Sequence, residues 1–351
     1  MSAICMGMAG KAMRRLCGGV AAPMVLCAAA LTAAPVEHAA AQQEAKELRI
    51  AIQFGIGYLP LLVAEERGLI EQQLAREGIA GTKITISRLS GGPALSDAML
   101  SRSIDLAVYG TGGFLVAWDK TRGNVNIKGL CAIAVMPNIL LANRPDIKTV
   151  RDLGPQDRIS VPATIAPQAL MLRLLAEQIF GKGQHGKLDP QMVILPHPEG
   201  LNALLSGAVA AQVTSPPYTY FALKDPRIHA ILTLDEVFGG PSTFLVLGVA
   251  DKFASDNPKT LRALLAAIEE ANGYIKTNRR GAAAIYLKAE KSSMTVDFVE
   301  QMLAELSDGF GTAPLRVMKH AEFMTHVGTL RHMPKDWREM FLPLIAERNG
   351  S

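Results

Sequence analysis

The chain has 351 residues, a formal net charge of +4, 49% hydrophobic and 19% charged residues, and only 5% aromatics. That apolar content excludes a disordered chain, four cysteines exclude a disulfide-stapled miniature fold, and near neutrality with few stacking rings excludes a dedicated nucleic-acid binder. The length suits two domains of ordinary size.

The first forty residues read as an export signal. Lys11, Arg14 and Arg15 precede an apolar, acid-free stretch over 16–34, and Ala39-Ala40-Ala41 presents small residues in the A-x-A arrangement that signal peptidase accepts. Residues 1–41 are therefore expected to be a signal peptide cleaved near Ala41, which places the mature chain in the periplasm. Leu16 and Leu26 precede Cys17 and Cys27, where a lipoprotein site needs a small residue. Cleavage removes Cys5, Cys17 and Cys27 and leaves Cys131 alone, so the mature chain forms neither an internal disulfide nor a cysteine metal cluster. No later apolar run approaches the roughly 18 residues of a membrane span.

From Leu48 onward a βα rhythm runs twice. A strand over 48–52 stops at Gly55 and Gly57; Pro60 opens a helix and Gly68 ends it in the left-handed conformation. Ile84-Thr85-Ile86 forms a second strand, halted at Ser90-Gly91-Gly92, and Pro93 opens a helix with Leu95, Met99 and Leu100 at helical spacing. A third strand over 104–108 runs into Gly110-Thr111-Gly112-Gly113. The pattern returns with a strand over 159–161, a helix over 167–180 and a strand over 192–195. Segment 98–105 can be laid over 203–210, and the strands that follow end at Tyr109-Gly110 and at Thr214-Ser215. Strands alternating with helices imply an α/β chain of two comparable lobes, each a mainly parallel sheet flanked by helices.

After an apolar run over 243–249, Asn257 before Pro258 starts a helix with Leu261, Leu264, Leu265, Ile268 and Ile275 on one face. Another helix over 296–306 is capped by Thr295. These helices have no second sheet of their own and return to the first lobe, so the chain crosses between lobes near 137–142 and 239–245. The first lobe comprises 46–138 and 243–351, and the second 139–242.

Gly57-Tyr58-Leu59-Pro60-Leu61-Leu62-Val63-Ala64 through Gly68-Leu69-Ile70 resembles the opening helix of nitrate/sulfonate/taurine-type solute-binding proteins, the extracytoplasmic receptors of ABC importers. Ser90-Gly91-Gly92 through Ala98-Met99-Leu100 to Ile104-Asp105-Leu106-Ala107 resembles their second signature, and Ile147-Lys148-Thr149-Val150-Arg151-Asp152-Leu153 the segment introducing their second lobe. Ala203-Leu204-Leu205-Ser206-Gly207 matches the corresponding unit there, and the resemblance spans roughly 46–345. It departs at Arg102, where the family usually has glycine, and at Ala163-Thr164-Ile165-Ala166, which replaces a Gly/Ser-rich turn. The resemblance implies a two-lobed periplasmic-binding-protein fold with a ligand cleft between the lobes. It also implies a monomer that binds a small-molecule solute (a sulfonate, carboxylate or pyrimidine-like compound) and delivers it to an ABC permease in the inner membrane.

In open parallel sheets ligands sit beyond the carboxyl ends of the strands, where helix N-termini present free N–H groups. The candidate contacts are accordingly Gly57, Tyr58, Ser90, Gly91, Gly92, Thr111 and Gly112 from the first lobe, and Thr164, Gln168, His197, Ser215 and Tyr218 from the second. No arginine or lysine is clearly aimed at the cleft; Arg88 is the one possible exception. Enzyme motifs fail. Pro60 stands where a dinucleotide loop opening at Gly55 needs its third glycine, and Leu188 where a P-loop ending at Lys187 needs Ser or Thr. G-x-S-x-G, H-E-x-x-H and C-x-x-C are absent. No cofactor or metal is expected, and the alternative to a receptor is a periplasmic enzyme or sensor on the same fold.

Overall fold

The computed structural model describes residues 44–89, 91–306 and 308–351; the expected signal peptide and Ser90 lie outside the described residues. In chain order the first lobe contributes β1 (Glu47–Ile52), α1 (Leu59–Glu66), α2 (Leu69–Arg76), β2 (Lys83–Arg88), α3 (Gly92–Leu100), β3 (Leu106–Gly110), α4 (Thr111–Thr121) and β4 (Ile127–Val135). The second holds β5 (Ile139–Ala142), β6 (Ile159–Val161), α5 (Pro167–Phe180), β7 (Met192–Ile194), α6 (His197–Ser206), β8 (Ala211–Thr214), α7 (Tyr218–Ala222), β9 (His229–Thr233) and α8 (Leu234–Phe238). The chain then returns through β10 (Thr243–Ala250), α9 (Asp251–Asp256), α10 (Pro258–Thr277), α11 (Arg279–Glu290), α12 (Val296–Glu305), α13 (Val317–His326) and α14 (Trp337–Met340).

Two five-stranded sheets result, ordered β2-β1-β3-β10-β4 and β7-β6-β8-β5-β9. In each, the first three strands pair in parallel and the fourth runs antiparallel to both its neighbours. Four of the five strands in each sheet therefore point the same way. The two units that align in sequence occupy equivalent places, since α3 leads into β3 and α6 into β8, the third strand of each order.

The local reasons are legible. Pro60, Pro93, Pro167 and Pro258 stand in the first turns of α1, α3, α5 and α10, where a missing N–H costs nothing. Gly68 adopts φ 62°, and Leu69 opens α2 at once. The third strand begins at Leu106, two residues later than its apolar pattern suggests. The Asp105 carboxylate accepts from the Arg49 backbone N–H and guanidinium, while the Asp105 N–H donates to the Arg49 carbonyl. Arg102, in the turn before it, takes φ 58°, a left-handed conformation in which glycine is the unstrained residue.

The C-terminal helices pack on the first lobe, with Leu261, Leu264, Leu265, Ile268 and Ile275 all buried in its core. Asn257 does not cap α10 with its side chain; its Oδ1 accepts from Ala45 N instead. The free N–H groups of Lys259 and Thr260 are taken by the Glu44 carboxylate at 2.7 Å each. Phe341 lies over Gly129 on β4, where a Cβ would overlap its ring, and Leu342 N donates to Gly129 O. The free edge of the sheet is thereby covered.

Several contacts join the lobes outside the cleft. Leu170 of α5 is buried in the first lobe's core. His320 of α13 stacks on Phe238 of α8, with centroids 4.1 Å apart, and its Nε2 lies 3.4 Å from Ser242 Oγ. Burial pushes the His320 imidazole down to about 3. His326 of α13 pairs with Glu177 of α5 at 2.8 Å; the hydrogen bond from His326 leads the factors holding that carboxyl below its ordinary value.

Candidate functional site

Between the sheets lies a cavity of about 610 Å³, counting the part open to solvent. Its first-lobe wall begins where β1 ends, at Gln53 and Phe54. Phe54 is 48% exposed, a large ring left at the cleft mouth without cover. Tyr58, Tyr109 and Phe244 supply further rings, and Leu245 completes the apolar surface. Phe244 reaches the cavity because β10 slips register against β4 between Thr243 and Leu245, and such a bulge re-aims a side chain. Tyr109 is free to lie across β10 because Gly248 offers no Cβ, which would come within 3.0 Å of the ring.

Backbone segments make the rest of the wall. Gly91 and Gly92 open α3, Ala166 and Pro167 open α5, and His197 opens α6, all at the cavity. None of these three helices has a side-chain cap. Thr233, Asn278, Thr295 and Asp336 cap α8, α11, α12 and α14, while α1, α2, α4, α7, α9, α10 and α13 also lack a side-chain cap. Uncapped first turns leave N–H donors and a partial positive charge facing the cavity. Among the described residues lining this cavity there is no Asp, Glu, Lys or Arg, and the adjoining pocket, which shares Gln53, Phe54, Gly91, Pro162 and His197 with it, adds Glu199.

On the second lobe, the His197 ring stacks face to face with Tyr218, with centroids 5.3 Å apart and planes within 8°. Its Nδ1 lies 2.7 Å from Thr214 Oγ1. Desolvation pushes the imidazole down to about 4, so it is neutral at pH 7. The Tyr218 phenol is pushed up to about 12 and the buried Tyr58 phenol is also raised, both chiefly by desolvation. Gln168 is 1% exposed. Its Nε2 donates to Asn138 Oδ1 at 2.6 Å, and its Oε1 has no partner.

Of the residues singled out from the sequence, the structure brings Tyr58, Gly91, Gly92, Gln168 and His197 into the cavity wall, with Tyr218 behind His197. Others stand outside it. Gly57 is buried where a Cβ would come 2.7 Å from Leu245 Cδ1, so it seats Leu245 rather than facing a solute. Thr111 is fully buried and its hydroxyl donates to the Thr243 carbonyl, leaving no free donor. Gly112 is covered by the Ile165 carbonyl and Leu170 of the other lobe. Thr164 turns its side chain to solvent while its carbonyl accepts from Arg173 at 2.8 Å. Ser215 is buried and its carbonyl accepts from the Tyr218 and Thr219 N–H groups. Arg88 pairs with Glu290 at 2.8 Å and is not in the wall. Gln53, Phe54, Phe244 and Leu245 were not singled out. Phe54 carried a signal, standing between a strand end and Gly55, but the bulge at Phe244 had none.

The fold is that of periplasmic binding proteins, and solved structures share it. The alkanesulfonate-binding protein SsuA of Xanthomonas axonopodis pv. citri, bound to MOPS, superposes with a TM-score of 0.66 at 20% identity, covering 83% of this chain and 96% of its own. The periplasmic aliphatic sulphonate-binding protein SsuA of Escherichia coli gives 0.65 at 19% identity, covering 85% and 99%. The periplasmic nitrate-binding protein NrtA of Synechocystis gives 0.59 at 15% identity, covering 74% and 70%. No curated protein matches the chain in sequence. A family model described as the NMT1-like family matches residues 41–288, which is most of the described chain, and the protein is accordingly a member of the NMT1-like family.

Proposed function

We propose that the chain is the extracytoplasmic receptor of an ABC importer. It takes a small organic solute between its lobes in the periplasm and hands the closed complex to an inner-membrane permease, acting as a monomer after cleavage near Ala41. The observation that carries this reading is the cavity itself. Three uncapped helix N-termini converge on a space walled by Phe54, Tyr58, Tyr109 and Phe244. Such a space suits a planar solute with an acceptor group for the N–H donors. The related structures of sulfonate- and nitrate-binding proteins support the same use of the fold. An enzyme reading has less to draw on: His197 is neutral and tied to Thr214, and the Glu199 carboxylate lines the adjoining pocket rather than this one.

The two chain crossings, near 136–138 and 239–242, serve in this reading as the hinge about which the lobes close. The test is thermal unfolding of purified residues 42–351, freed of carried-over solute, against nitrate, alkanesulfonates, aromatic carboxylates and pyrimidines. A ligand at a thousand times its Kd stabilises the native state by about 4 kcal/mol. Gly92→Val, whose new side chain enters open space, should abolish that shift while leaving the ligand-free midpoint within about 2 °C. A solute that stabilised the variant equally would remove the cavity from the reading, and one that was consumed with time would make the protein an enzyme.

A further inference from the structure

Away from the cavity the lobes also meet through a cluster of rings. α7 follows a strand of the second sheet, and α12 packs on the first lobe's core through Val299, Met302 and Leu303. Tyr220 and Phe221 of α7 nevertheless both meet Phe298 of α12. The Tyr220 ring stands edge-on to Phe298, with centroids 6.3 Å apart and planes at 87°. Phe221 is tilted against the same ring at 5.7 Å. Lys224, just beyond α7, sets its ammonium 3.8 Å from the Phe298 centroid and 5.6 Å from that of Phe221. These separations are those at which rings and cations attract one another. Tyr220 is half-buried against the first lobe's core; that burial, with Glu305 of α12 beside the hydroxyl, raises its phenol. Just ahead of α7, Pro216 also faces Gly55 of the first lobe, its carbonyl 3.7 Å from where a Cβ would stand.

None of Tyr220, Phe221, Lys224 and Phe298 lines the cavity. Neither α7 nor α12 belongs to the chain crossings, so a rotation of one lobe about them carries α7 past α12. A gap of about 1 Å already forfeits up to half of a dispersion contact. The cluster is therefore complete only in a conformation like this one, with the cavity enclosed by both lobes. We infer that Phe298, gripped by Tyr220, Phe221 and Lys224, is a positioning residue that holds the lobes in the enclosing conformation and so sets solute affinity without touching the solute. This rests on the receptor reading above and deepens it. A solute binds only as tightly as the competent conformation is populated, so a contact that stabilises that conformation counts toward affinity wherever it lies.

The test compares residues 42–351 with two variants. Phe298→Leu keeps an apolar side chain on the first lobe's core, and Lys224→Met keeps the stem and loses the charge. Small-angle scattering of the ligand-free proteins should give a larger radius of gyration for both, and Lys224→Arg should restore the wild-type value. The probes are nitrate, methanesulfonate, benzoate and uracil. Whichever binds the wild type should bind Phe298→Leu about fivefold to thirtyfold more weakly, the worth of one aromatic pair and one exposed cation–π contact. Adding Lys224→Met in that background should cost little more, because its main partner ring is gone. A lowered unfolding midpoint with unchanged scattering and affinity would make the cluster ordinary packing and overturn the inference. Parted lobes that bound the probe as before would overturn it too. Silence from every probe would count against the receptor reading, and unchanged ligand-free scattering against the clamp, so the two fail separately.

Discussion

Gly112 sits at the start of α4, where the first lobe meets the loop before α5 of the second. A Cβ there would overlap the Ile165 carbonyl oxygen and stand 2.6 Å from Leu170 Cδ1, about 1 Å short of a comfortable carbon–carbon contact. Leu170 could swing aside, but the Ile165 carbonyl is backbone, so Gly112→Ala must push the two lobes apart at the base of the cleft. Overpacking of this kind costs about 1–3 kcal/mol. Absorbed by the whole chain, that lowers the unfolding midpoint by roughly 2–6 °C; absorbed by the lobes parting, it weakens ligand binding by about 5- to 150-fold. Small-angle scattering distinguishes the two, since only the second increases the radius of gyration. Gly113→Ala is the control: one residue on, its Cβ meets nothing nearer than Tyr109 Cδ1 at 3.9 Å, and it should fall within about 0.5 kcal/mol of wild type. Wild-type behaviour of Gly112→Ala in midpoint, scattering and binding would refute the reasoning.

Three further outcomes can be measured directly. Arg102→Gly should relieve a left-handed backbone that costs a non-glycine residue about 1–2 kcal/mol, partly offset by glycine's freedom in the unfolded chain. A higher urea midpoint is expected, and a lower one would contradict the strain. His320 titrates at about 3 when folded, below the roughly 6.5 of an unfolded histidine. The unfolded chain therefore binds the extra proton, and stability is unaffected above pH 6.5 and falls on acidification toward pH 3, by up to about 1.4 kcal/mol per pH unit. His197 adds in the same sense down to about pH 4. Urea unfolding of His320→Gln between pH 6.5 and 4 should show a shallower slope; an unchanged slope would mean that His320 is not desolvated. Phe54→Ala removes a ring that is 48% exposed, and should weaken solute binding about tenfold with little change in midpoint. A fallen midpoint with intact binding would assign the ring to the fold instead.

Much of the framework could be read from the chain because proline and glycine act locally. Pro167 opens α5 and Gly68 turns left-handed whatever packs around them. The helix face from Leu261 to Ile275 was equally plain, because a period of 3.6 needs no partner to be seen. β4 was silent for the opposite reason. Its Gly129, Ala132 and Ala134 have poor strand propensity, and it is a strand only because β10 pairs along it and Phe341 covers Gly129. The site divides in the same way. The loops at strand ends were found where the topology demands them. Which side chains stayed free within them was decided by groups distant in sequence, as when the Thr243 carbonyl takes the Thr111 hydroxyl and Asn138 orients Gln168.

The position of β10 has a consequence for the order in which the molecule can be assembled. It lies between β3 and β4 in the first sheet, yet it follows every strand of the second in the chain. A nascent or translocating chain that has delivered residues up to 233 holds all five strands of the second sheet, and that sheet can close. The first sheet at that moment is a three-stranded β2-β1-β3 ribbon with β4 unpaired beside it, because the strand that joins them has not arrived. The lobe that begins first therefore finishes last. Until residues 243–250 emerge it offers the open edge of β3 and both edges of β4 to any chaperone, or to any neighbouring chain, that meets it.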